Sequence, residues 1–185
     1  MQKEPTETTT YAFIDSQNLN LGTSKNLIKD GEIYYYGWEL DFQKFFIYLQ
    51  DKFRVEKAIL FLGYIKRYQR LYNYLNNCGY QIIFKPTVKD NYGKPKGNVD
   101  AELVLHSAKI LYKEYDKAVF VSGDGDFFCL YEYLEQKNKL EAILIPNKYT
   151  GSSLLNKFQA YKYYIHRDRV KLEKKDGRRR SLSRR

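Results

Sequence analysis

The chain has 185 residues, 43% of them apolar and 29% charged, and a net charge of +10; it can bury a sizeable core, and its length favours one domain. That composition excludes a disordered chain, and no stretch approaches the ~18 uncharged apolar residues of a membrane-spanning helix. The opening MQKEPTETTT lacks the apolar core of a secretion signal, so a cytoplasmic protein with no membrane partner is expected, and Cys78 and Cys129 are too few and too isolated for a disulfide framework or a zinc site.

Residues 1–10 read as a flexible start to a domain spanning 11–170. Tyr11–Ile14 is a continuous apolar run, the pattern of a strand covered on both faces, and Asp15 follows it directly with no visible helix to cap. The stretch from Gly22 to Trp38, with Tyr34, Tyr35 and Tyr36 in a row, interrupts the first crossover as either a flap over the strand ends or a surface hairpin. Asp41 then caps a helix whose apolar stripe is Phe42, Phe45, Phe46 and Leu49. A second strand, Ala58–Leu62, leads to the stripe Tyr68, Leu71, Tyr72 and Leu75, which Gly79 ends. The third, Gln81–Phe84, precedes a helix led by Asn98, with Val99, Leu103, Val104 and Ala108 on its inner face. The fourth, Ala118–Val121, is followed by Phe127, Leu130, Tyr131 and Leu134, and the fifth, Ala142–Ile145, by Leu154, Leu155 and Phe158. Strands alternating with helices predict right-handed crossovers and a parallel sheet with helices on both faces. From Lys171 to Arg185 eight basic residues stand against only Glu173 and Asp176. This segment, 171–185, reads as a disordered basic arm that attracts polyanions, nucleic acid above all; a solubilising tail is the plainer alternative.

In an open parallel sheet, sites form beyond the carboxyl ends of the strands where the strand order reverses. The residues just after each strand are therefore informative. Asp15 and then Asn18 come after the first, and Ser122-Gly123-Asp124-Gly125-Asp126 after the fourth. Lys66 and Arg67 come after the second strand, Lys85, Lys94 and Lys96 after the third, and Lys148 after the fifth. The result is an acidic centre with a basic surround, to which Asp100 is added in the first turn of its helix. A hard cation such as Mg²⁺ takes carboxylate and water oxygens, acidifies water and stabilises charge on a phosphodiester under attack, while lysines and arginines hold the polyanion. Asp100 also has a plainer reading as a dipole partner, and Asp124 or Asp126 as a cap of the helix that follows. Two strand-end acids side by side repel without a counterion, which favours a metal. No dinucleotide loop, phosphate loop or complete calcium loop is present, and neither His106 nor His166 has a ligand partner at a useful spacing.

The segments YAFIDSQNL, KGNVDAELVLHSA and AVFVSGDGDF, in this order and spacing, resemble the NYN domain family, the LabA-like nuclease domains of the PIN superfamily. The resemblance runs from about Tyr11 to Ile165. It implies an α/β PIN-like, Rossmann-like three-layer sandwich around a central parallel sheet of about five strands in the order 3-2-1-4-5. It also implies metal ligation at Asp15, Asp100 and Asp124, with Asp126 as a further acid, Asn18 as the polar residue beside the first acid and Ser122 as a small hydroxyl at the substrate or positioning Asp124. The implied activity is Mg²⁺- or Mn²⁺-dependent endonucleolytic cleavage of single-stranded or structured RNA, leaving a 5′-phosphate. Lys66, Arg67, Lys85, Lys94, Lys96, Lys148 and the tail residues Arg178, Arg179 and Arg180 are the expected phosphate contacts. A non-cleaving RNA-binding regulatory module and a DNA nuclease are the alternatives, and the oligomeric state is open, a homodimer among the options.

Overall fold

Six parallel strands form the central sheet in the computed structural model, which describes residues 8–85, 88–89, 95–96 and 99–175. In chain order, β1 (Thr10–Asp15) is followed by α1 (Ser16–Ser24), the hairpin of β2 (Leu27–Lys29) and β3 (Glu32–Tyr35), α2 (Phe42–Phe53) and β4 (Val55–Gly63). Next come α3 (Gln69–Asn77), β5 (Gln81–Lys85), the short pair β6 (Val88–Lys89) and β7 (Pro95–Lys96), α4 (Asp100–Leu105), β8 (Lys117–Val121) and α5 (Phe128–Gln136). The chain then forms β9 (Leu140–Ile145), a 3₁₀ segment (Ser153–Tyr161), β10 (Lys162–Tyr164) and α6 (Arg169–Leu172).

The sheet order is β10-β9-β8-β1-β4-β5. Its first five strands in sequence fall in the expected order, and β10 adds a sixth at the edge. Alternation along β1 divides the core. Ala12 and Ile14 pack with Leu19, Phe45, Leu49 and Leu75 from α1, α2 and α3. Tyr11 and Phe13 pack on the other face with Leu103 from α4, Leu130, Tyr131 and Leu134 from α5, and Phe158. The sheet is thus buried on both sides, which is why its strands read as unbroken apolar runs.

Several expectations need correction. Asp15 does have a helix to cap: α1 starts at the next residue, and the Asp15 carboxylate accepts hydrogen bonds from the backbone N–H of Gln17 and Asn18, both at 3.0 Å. The 22–38 stretch takes the second of its two readings, a hairpin, β2–β3, after the end of α1. Leu71 and Leu154 are exposed rather than inward-facing. The residue before α4 is Val99, which makes no side-chain cap, and Asn98 lies outside the described residues. After α4 the helix widens into a π turn, His106–Ile110, and the hydroxyl of Tyr115 donates to the Ser107 carbonyl at 2.6 Å. The fold also runs past residue 170. Leu172 is buried, Leu40 pairs with Glu173, and Lys174 forms an ion pair with Glu39 at 2.7 Å. Three bases assigned to the tail, Lys171, Lys174 and Lys175, therefore lie in the described part of the chain, while Arg178, Arg179, Arg180 and residues 1–7 lie outside it.

Candidate active site at the carboxyl ends of β1 and β8

The chain leaves β1 for α1 and then β4 on one side, and reaches β8 on the other side of β1 from across the sheet. β1 and β8 are thus the adjacent strands between which the order reverses, where a crevice opens at the carboxyl ends. Asp15 ends β1 and Ser122 follows β8 directly; both are almost fully buried. The Ser122 hydroxyl donates to Asp15 Oδ2 at 3.4 Å and accepts from the backbone N–H of Asp124 at 3.2 Å, so one small side chain spans the two strand ends. Asn18, on the first turn of α1, accepts from the Gly123 N–H through its Oδ1 at 2.8 Å. Asp124 accepts from the Asp126 N–H at 3.0 Å and opens a short 3₁₀ turn before α5.

The electrostatics bring the four acids together. Burial raises the pKa of Asp15, opposed by its two backbone hydrogen bonds, and the charges of Asp100 and Asp124 raise it further. Asp100, at the start of α4, is raised by burial, then by Asp124 and Asp126, while Lys85 at the end of β5 lowers it. Asp15 and Asp100 thus each carry charge repulsion from neighbouring acids at the end of the sheet, an unfavourable arrangement without a counterion. Among the described residues, no three acids, histidines or cysteines are gathered tightly enough to make a ready cage for a metal ion. Hard oxygen donors in a loose arrangement suit Mg²⁺ or Mn²⁺, which keep several waters and take few protein ligands, better than a dehydrated ion in an all-protein site.

Sequence reasoning passed over one group. Tyr131 of α5 was legible as a core residue, and it is fully buried, but its hydroxyl has no hydrogen-bond partner and its pKa is raised by burial and then by Asp15 and Asp124. The charges of Asp15 and Asp124 reach this phenol, although it donates to neither. Its only sequence signal was the choice of Tyr over Phe at a core position.

The expected phosphate contacts are spread around this centre. Lys66 and Arg67 form a 3₁₀ turn beyond β4, with the Arg67 guanidinium 4.9 Å from the Tyr68 ring centre. Lys85 is the last residue of β5, and Lys148, beyond β9, lies 4.7 Å from the ring centre of Tyr149. Lys96 falls in β7, and Lys94 is outside the described residues. His106 is tied to the Glu102 carbonyl through Nδ1 at 2.8 Å and lies edge-on to Phe61, a packing role. Cys78 and Cys129 are free thiols, and among the described residues no helix is long and apolar enough to cross a membrane.

The family model of the NYN domain matches residues 9–165. A crystal structure of a protein of unknown function from Vibrio parahaemolyticus superimposes with a TM-score of 0.63 at 20% identity, covering 88% of this chain and 96% of that one, which shows a shared fold. No curated protein matches this chain.

Proposed function

Because the chain belongs to the NYN domain family, whose domains are PIN-like and of nuclease type, we propose that it is a metal-dependent endoribonuclease. The observation that carries this reading is the pair of acids at the reversal point, Asp15 at the end of β1 and Asp124 just beyond β8, with Ser122 bonded to the Asp15 carboxylate and the Asp124 backbone N–H, and Asp100 close enough to raise the pKa of Asp15. In this reading Asp15, Asp100 and Asp124 hold Mg²⁺ or Mn²⁺, and Asp126, more exposed, holds a second ion or orients water. When bound, the cation supplies an acidified water and charge stabilisation at the phosphodiester under attack. Asn18 and Ser122 keep the Asp124 loop against the end of β1. Lys66, Arg67, Lys85 and Lys148 hold phosphates on either side. Lys94, Lys96 and the tail arginines Arg178, Arg179 and Arg180 extend that grip.

Purified protein with labelled single-stranded RNA, hairpin RNA and DNA, in Mn²⁺ and in EDTA, tests the proposal. Mn²⁺-dependent RNA cleavage that falls to background in Asp124→Asn supports it, because the amide keeps the shape and loses the charge a cation needs. Equal cleavage by both proteins places the activity elsewhere. The loose arrangement of the acids favours one second reading, an RNA-binding module that does not cut; RNA binding without cleavage in any metal would establish it. Cleavage of DNA alone would move the substrate class.

A further inference from the structure

The inserted hairpin β2–β3 does not stand apart from the site. It docks on the loop that comes after β9, and that loop is fastened to the one carrying Asp124. The Ser152 N–H donates to the Gly123 carbonyl at 2.9 Å, and a Cβ on Gly123 would come within 3.3 Å of the Gly151 Cα. On the far side of this fastening, the Tyr149 ring meets Tyr34 edge-on at 5.4 Å and Tyr35 at 6.2 Å, while His166 faces Tyr35, Tyr149 and Tyr164. Tyr34, Tyr36 and Tyr149 are each at least half exposed.

Tyr34 and Tyr149 pack edge-on against each other and leave about half of their surface open, whereas core tyrosines such as Tyr72 and Tyr115 are buried. The neighbouring charges are basic. Lys148 lies 4.7 Å from the Tyr149 ring centre, and the Arg167 guanidinium 4.9 Å from that of Tyr164. Burial, with Lys148 and Arg167 nearby, lowers the pKa of His166, so its ring joins the cluster uncharged at neutral pH. Two buried polar atoms beside the rings, Nδ2 of Asn147 and Nδ1 of His166, have no hydrogen-bond partner, and Asn147 is 0% exposed. Exposed rings and flanking cations, joined by backbone to an acidic centre, are the parts of a surface for unpaired nucleobases.

We propose that Tyr149, braced edge-on by Tyr34 and flanked by Lys148, forms a stacking platform for a base of single-stranded RNA next to the phosphodiester at the acidic centre. The inference rests on the ribonuclease reading for its location but not for its measurement. β9 lies next to β8 and two strands from β1, and Tyr149 comes shortly after the carboxyl end of β9, so the platform lies at the same end of the sheet as the acids. A base stacked there must be unpaired, which makes single strands and loops the substrate and leaves continuous duplex a poor ligand. Stacking tolerates any base, so the platform selects for single-strandedness and not for sequence.

Binding is measured by fluorescence anisotropy in EDTA, where no cleavage interferes, using a labelled ten-nucleotide oligouridylate and the same oligomer with one abasic position moved along it. Tyr149→Ala should weaken binding about tenfold, the size of one base–aromatic stack, while Tyr149→Phe keeps wild-type affinity. Tyr34→Ala should fall between them. At one position the abasic oligomer should bind wild type about tenfold more weakly and Tyr149→Ala no more weakly than the intact oligomer does. Unchanged affinity in both alanine variants, or no position sensitive to base removal, overturns the platform, as does wild type that binds no RNA. Should Tyr149→Ala unfold, Tyr34→Ala and the abasic series on wild type still decide. Ring-dependent binding without cleavage in Mn²⁺ would keep the platform and sink the nuclease; cleavage insensitive to both rings would do the reverse.

Discussion

The Asp15 carboxylate receives two backbone N–H bonds as the cap of α1 while it faces Asp100 and Asp124, so its charge is favoured from one side and opposed from the other. The two effects separate by substitution. Asn is as good a cap as Asp and carries no charge, so Asp15→Asn should leave the metal-free protein as stable as wild type or more so, whereas Asp15→Ala should lose about 1 kcal/mol with the cap. Thermal melts in EDTA check this; equal losses in both variants would mean that repulsion at the site is negligible. The same residues set a pH dependence. Burial, then neighbouring acids, raises the pKa of Asp15 and of Asp100 above the ordinary 3.8, so the folded state binds these protons more tightly than the unfolded chain. Stability from these two groups therefore increases as pH falls through their raised values, is complete below 3.8, and is lost as pH rises again. Melting temperature against pH in EDTA, compared with the double variant Asp15→Asn/Asp100→Asn, isolates the contribution. The variant should destabilise less than wild type on going from mildly acidic to neutral pH, and parallel curves would count against the shared field of the acids.

Helix α1 does more positioning than any other element and is the hardest to read from sequence. Leu19 is its one large buried apolar side chain, so Ser16–Ser24 shows no apolar stripe and has the polar composition of a loop. It is helical because Asp15 caps it and because its faces meet the ends of other strands. The Ser16 hydroxyl donates to the Phe61 carbonyl at 2.7 Å, Asn18 holds Gly123, and a Cβ on Gly22 would come within 2.6 Å of the Pro146 Cβ. The Pro146 ring has little room to yield. Gly22→Ala should therefore cost about 1–3 kcal/mol by overpacking and lower the melting temperature by at least about 2 °C; a variant as stable as wild type would show that α1 shifts freely on the sheet. The five strands of the central order were legible because burial on both faces leaves continuous apolar runs. β10, Lys-Tyr-Tyr at the sheet edge, and the two-stranded hairpins carry no such run. Asp15 and Asp124 were legible as residues at or just past strand ends, since that position needs only the strands themselves, and Asp100 as an acid in the first turn of its helix. The roles of Ser122 and Asn18 depend on which loops meet across the sheet, and no local spacing encodes that.

Over the whole molecule, basic charge is divided between a folded body and a terminal segment whose share is smaller than the sequence alone suggested. Lys174 pairs with Glu39 across the fold and helps seat the end of the chain against the body, while Lys171 pairs locally with Asp168 at 3.8 Å. Removing residues 176–185 leaves those pairs in place and takes away five arginines: Arg178, Arg179, Arg180, Arg184 and Arg185. If that segment binds RNA phosphates, its deletion should weaken binding and flatten the salt dependence. For every phosphate that the shortened protein no longer touches, the slope of log affinity against log salt should drop by about 0.7 on single strands. Contacts of this kind position a substrate without reading its bases, so any sequence preference should be unchanged. Cleavage at saturating RNA should also change little, because the acids and the aromatic platform belong to the body, while the RNA concentration needed for half-maximal rate should rise. The melting temperature should stay where it was, since the deletion begins beyond Glu173 and Lys174. Titrations of full-length and shortened protein with the same oligonucleotide, in EDTA from low to moderate salt, give both slopes. Equal slopes would confine RNA binding to the body, to Lys66, Arg67, Lys85 and Lys148 around the acidic centre, and would leave the terminal arginines as a solubility element.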